Sequence, residues 1–183
     1  MNICFRFCRW CRGLGHGRGF GIQSPFAYDL VRNVINQRSP YYQYDDLAKE
    51  ILSLNGRNLK TCRLLFRLSN YLRPSKVYVA EGLSDYIYRY VFAGCHAASL
   101  TKDVTDCDVC VVKAAQDVVD VRFRELKQSA VLVLLDIYAD ADSLAVWQNI
   151  IARDECRVSF DLYSLGIVFL QRKYQKNDYV INF

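Results

Sequence analysis

The chain has 183 residues, 52% of them apolar and 23% charged, with a net charge of +5. Those numbers suit one folded domain with a sizeable core and exclude an intrinsically disordered chain. The longest apolar run, residues 130–139, contains Asp136 and is too short for a membrane span, and no apolar stretch follows the N-terminal arginines as it would in a secretory signal.

Residues 2–14 fit an amphipathic helix, with Ile3, Phe7, Trp10, Cys11 and Leu14 at helical spacing and Arg6, Arg9 and Arg12 on other faces. Within it, Cys4, Cys8 and Cys11 have the spacing of a radical S-adenosylmethionine cluster motif. The motif starts at the fourth residue, with no barrel strand before it, so a packing helix is the expectation. A glycine-rich loop follows, from Gly13 to Gly21, and includes His16. Ser24 then caps a helix that has Pro25 in its first position, Asp29 near its positive end, and Phe26, Leu30, Val31, Val34 and Ile35 as its apolar stripe. A short helix is expected over about 46–54, stopped at Asn55-Gly56, and another over about 62–72, ended before Pro74.

From Lys76 the pattern changes to alternating strands and helices. "KVYVA" reads as a strand, "SDYIYRYVFAG" as a helix capped by Ser84 and stopped by Gly94, and "HAASLT" and "DVCVV" as strands. "DVVDVRFRELKQ" reads as a helix, "AVLVLLDI" as a central buried strand, and "DSLAVWQNIIARD" as a helix. Residues 156–172 form a hairpin bending near Ser164 to Gly166, and "DYVINF" is a last strand. The alternation predicts a mostly parallel sheet with helices on both faces, and the hairpin predicts antiparallel pairing at one edge. Residues 1–74 are thus a helical segment packed on an α/β core of residues 75–183.

Cys107 and Cys110 could supply half of a zinc site, but neither His16 nor His96 has the spacing to complete it, so no metal is expected. Acids and bases are mixed beyond the N-terminal arginines, with no Arg/Lys stripe, so nucleic acid is not an expected partner. "VYVAEGLSD", residues 77–85, is a strand, a glycine turn and a helix start, the local form of many nucleotide-holding loops, with one glycine where such loops carry several.

"HGRGFGIQSPFAYDLV" (16–31), "LLFRLSNYLRPSKVYV" (64–79) and "DLYSLGIVFLQRKYQKNDYVINF" (161–183) resemble a Bacteroidetes family of class I S-adenosylmethionine-dependent methyltransferase-like proteins. The resemblance implies a Rossmann-like methyltransferase fold with S-adenosylmethionine held at the turn after the first strand. It places Glu81, Gly82 and Ser84 at that turn, Thr101 with Asp103 as a displaced substitute at the ribose-binding acid, and Lys113 and Asp136 near the reacting centre. The sequence departs from the family there. The turn lacks its further glycines, Lys113 stands where an aspartate is usual, and residues 101–108 leave no room for the family's third strand and helix. The expectation is a shortened, degenerate, cytoplasmic relative with cofactor binding and catalysis lost or weakened, acting through a protein partner or a second copy of itself. The alternative is an active, divergent methyltransferase for a small acceptor.

Overall fold

The computed structural model describes residue 11 and residues 19–50, 56–115 and 123–183. Apart from Cys11, the expected helix over 2–14 with Cys4 and Cys8 lies outside them, as do His16, residues 51–54 of the helix expected over about 46–54, and residues 116–122 of the helix expected after the third strand. Ser24 caps α1 (Pro25–Leu30) by accepting the Ala27 N–H at 3.3 Å, and Pro25 sits in the first turn as expected. Asp29 lies beyond that first turn. Its carboxylate instead accepts from Asn33 and from the Tyr71 hydroxyl. The helix continues as a π-helical turn, Val31–Ile35. Then come α2 (Gln43–Glu50) and α3 (Gly56–Leu72). Gly56 is the first described residue of α3, and the expected stop at Asn55 lies outside the described residues.

The core runs β1 (Lys76–Val79), α4 (Asp85–Gly94), β2 (Ser99–Leu100), a 3-10 turn (Val104–Asp106), β3 (Val109–Lys113), β4 (Val131–Leu135), α5 (Ala141–Ala152), β5 (Val158–Asp161), β6 (Leu165–Phe169) and β7 (Asn177–Val180). These strands form one seven-stranded sheet in the order β2-β1-β3-β4-β6-β5-β7. β6 is antiparallel to both its neighbours, and the other pairs are parallel. The hairpin is therefore not an edge feature. β6 is inserted in the sheet interior beside β4, and the edge beyond it is the parallel strand β7. Burying all five residues of β6 requires neighbours on both sides, and "LGIVF" is buried throughout.

Period-two alternation sends strand side chains into two cores. Val77, Val79, Val111, Val133 and Phe160 face α1, α3 and α4, while Tyr78, Cys110, Val112 and Leu134 face α5. No helix among the described residues is long and apolar enough to cross a membrane.

α4 lies so close to α3 that a Cβ on Gly94 would overlap the Phe66 carbonyl oxygen. Gly94 therefore serves helix contact. It is not a left-handed stop, since the cap residue after it, Cys95, is extended. The sheet's entry is clamped by Asp108, whose carboxylate accepts the backbone N–H groups of Ser75 and Lys76 at 2.8 and 3.0 Å and the Lys127 ammonium at 2.7 Å. Partial burial pushes the Asp108 carboxyl up. The hydrogen bonds from Lys127, Lys76 and Ser75 outweigh this and hold it below its ordinary value.

Two tests follow from these contacts. Gly94→Ala must separate two backbones, so chemical denaturation should show a loss of at least about 1–3 kcal/mol. Because the folded pKa of Asp108 is depressed, its contribution is complete above the unfolded value near ~4 and is lost as pH falls through the folded one. Asp108→Asn should therefore lower stability at neutral pH and flatten the acid limb of a stability-versus-pH curve.

Candidate functional site

In an open α/β sheet, ligands bind at the carboxyl ends of the strands where the strand order reverses. Here that point lies between β1 and β3, since the chain goes from β1 outward to β2 and then returns to β1's other side. After β1, Gly82 adopts φ +82° in a tight turn closed by the Leu83 N–H on the Ala80 carbonyl. Glu81 is exposed. Ser84 occupies the cap position of α4, but its hydroxyl makes no capping bond. The reason is local: the Ile87 N–H goes to the Ser84 backbone carbonyl at 2.9 Å, so the first turn tightens without using the side chain.

Thr101 and Asp103 are not brought to this turn. β2 pairs only with the beginning of β1, Leu100 standing opposite Val77, and the Thr101 N–H bonds the Val77 carbonyl. From there the chain turns into the 3-10 turn. Asp103 caps it, accepting from the Thr105 N–H at 2.9 Å and the Thr105 hydroxyl at 2.7 Å. Those bonds, first from the hydroxyl and then from the backbone, hold the Asp103 carboxyl below its ordinary value, and the field of Lys76 adds to them. Lys76 opens β1 and pairs with Asp106, so Asp103 belongs to the charged cluster at the amino end of the sheet.

At the carboxyl rim, carbonyls that end two strands are taken by the chain's own hydroxyls. The Tyr88 hydroxyl of α4 reaches the carbonyls of Val79 and Ala80 that end β1, at 3.4 Å each. The Ser143 hydroxyl of α5 donates to the Ala114 carbonyl after β3 at 2.9 Å. Lys113 and Asp136 face one another across the ends of β3 and β4 at 3.8 Å, both more than half exposed. Such a surface pair is worth little. Asp136 has φ +59°, and its N–H bonds the Ser164 carbonyl, which ties β4 to the β5–β6 hairpin.

Sequence reasoning missed the group beside that hairpin. Asp161 accepts the Tyr138 hydroxyl at 2.5 Å and the Tyr163 N–H at 3.0 Å, and the rings of Tyr138 and Tyr163 stack at 5.3 Å. An aspartate two residues before a residue with positive φ is a turn signal, but only the fold brings Tyr138 to it. Beside Asp136 lies a cavity of about 150 Å³, lined by Asn58, Thr61, Tyr86, Leu135 and Ser164. It is well below the ~300–1,000 Å³ of sites that enclose a whole cofactor.

Among the described residues no group of three His, Cys, Asp or Glu side chains could hold a metal ion. Cys107 and Cys110 are buried thiols in no disulfide, Cys107 donating to the Val104 carbonyl, and His96 meets Gln43 at 3.0 Å. Comparison of the chain with protein-family models and with curated proteins gives no match.

The turn yields a graded prediction. Glu81→Ala and Ser84→Ala should each change stability by less than about 0.5 kcal/mol, as surface changes do. Space is open around Gly82, so Gly82→Ala should cost only the left-handed backbone, about 1–2 kcal/mol, and Gly82→Val more. Thermal melting of the four variants checks the order.

Proposed function

We propose that this chain is a shortened methyltransferase-like α/β protein whose cofactor site has closed, and that it acts by binding rather than by methyl transfer. The observation that carries the reading is that β2 stops opposite Val77 and Asp103 caps the 3-10 turn that follows it. A ribose needs an acceptor at the carboxyl rim, and Asp103 is instead committed to the 3-10 turn at the amino end. The strand order supports the methyltransferase-like part of the reading. β2-β1-β3-β4 is a doubly wound sheet with the outermost strand of the first half removed, and residues 101–108 are too few to supply it. The hairpin that inserts β6 beside β4 agrees with the C-terminal part of the sequence resemblance. The occupied carbonyls of Val79, Ala80 and Ala114 support loss of the site.

Each cofactor hydroxyl buried without its partner would forfeit about 1–3 kcal/mol. Calorimetric titration with S-adenosylmethionine should therefore show no saturable binding below about 1 mM. A micromolar dissociation constant would contradict the proposal and restore the alternative, an active enzyme for a small acceptor.

A further inference from the structure

α3 carries Lys60, Arg63 and Arg67 at helical spacing, and Arg38 follows the π-helical turn of α1. These four cations line a cleft of about 540 Å³, together with Tyr44, Phe183 and Asp45, the one acidic side chain among the described lining residues. The volume falls in the range of small-molecule sites. Arg67 forms its floor and is only 6% exposed. Its Nε donates to the Val34 carbonyl at 2.6 Å, one Nη to the Ile35 carbonyl at 3.1 Å and the other to the Tyr44 hydroxyl at 3.4 Å. All three acceptors are neutral. The carbonyl end of a helix favours a cation, so this explains where Arg67 sits and leaves its charge uncompensated.

The other three cations have no such structural role. Arg63 lies with its guanidinium 5.0 Å from the centre of the Tyr44 ring, and its Nε is buried without a hydrogen-bond partner. Lys60 lies over the Phe183 ring at 4.4 Å. Burial of its stem, then the charges of Arg67 and Arg38, hold the Lys60 ammonium below the ordinary lysine value. Among the described residues no carboxylate lies within ion-pair distance of any of the four. Like charges gathered around a partly desolvated concavity repel one another, and an anion seated among them removes that repulsion.

We propose that this cleft is the binding site of a small phosphorylated anion of at least two negative charges. The excess of cations over carboxylate calls for a multivalent ligand, and the guanidinium forks suit phosphate oxygens. The cations surround a cavity and do not run along the surface, which favours a small molecule over a nucleic-acid backbone. This site is independent of S-adenosylmethionine binding, so either proposal can fail alone.

The test uses the whole chain and inorganic pyrophosphate at physiological ionic strength. Calorimetry should give one site with a dissociation constant below about 1 mM, and Tm should rise with ligand concentration. Arg63→Gln and Lys60→Gln, each still melting cooperatively, should weaken binding by at least about tenfold, the loss of one charge-assisted contact. Lys102→Gln, far from the cleft in the 101–108 connection, should bind as the wild type does. Absence of heat and of any Tm shift would overturn the proposal, as would equal weakening by all three substitutions. Tighter binding of a single-stranded RNA oligomer, lost in the same two variants, would overturn it in favour of a nucleic-acid surface.

Discussion

The connection between β2 and β3 sets the rest of the structure. Both strands pair with β1, one on each side, and only residues 101–108 join them. A chain so short has no slack for a crossover helix, so it leaves β2 after two residues and crosses at the level of Val77. β2 therefore cannot reach the carboxyl end of the sheet. Asp103, Asp106 and Asp108 all fall near Lys76, where they cap the turn, pair with the lysine and clamp the start of β1. One short connection thus explains an edge strand of minimal length and an acidic cluster at the amino end. It also explains why nothing acidic from β2 reaches the crevice beside Gly82.

At the carboxyl rim the chain's own side chains satisfy the strand ends. Hydroxyls of Tyr88 and Ser143 take the carbonyls that end β1 and β3, and Asp161 gathers Tyr138 and the hairpin turn. Two of the concave spaces that remain lie on either side of α3. Asn58 and Thr61 face the small cavity beside Asp136, while Lys60, Arg63 and Arg67 face the larger basic cleft. The helix that separates these spaces is held against α4 by the bare backbone of Gly94, so its faces are fixed relative to the sheet.

Much of the fold is legible in the sequence because it depends on periodicity. Alternating valines and leucines in 131–135, the Ser24-Pro25 start and the missing room between 101 and 108 each follow from local rules. What was not legible depends on contact at a distance. The position of β6 inside the sheet is set by pairing with β4, and a hairpin alone does not reveal it. Gly94 ends its helix as the sequence suggests, but its packing role against Phe66 of another helix could not be read there. Ser84 has the right identity for a cap and loses the bond to its own carbonyl's competition for the Ile87 N–H. The basic cleft escaped notice because Lys60, Arg63 and Arg67 are interleaved with buried Leu64, Leu65 and Phe66, and Arg38 joins them only in the fold. The spacing of those three residues was the signal available.

The central claim is that the sheet's carboxyl rim is closed to S-adenosylmethionine and that the ligand-accessible face lies across α3. Amide chemical-shift mapping of the isotope-labelled chain with S-adenosylhomocysteine addresses it most directly, because the method reports binding at each residue without requiring catalysis. The account predicts no saturable shifts at Ala80, Gly82, Leu83 or Ala114, and a response to pyrophosphate centred on Arg38, Lys60 and Arg63. Saturable shifts at Gly82 and Ala114 with S-adenosylhomocysteine would contradict it.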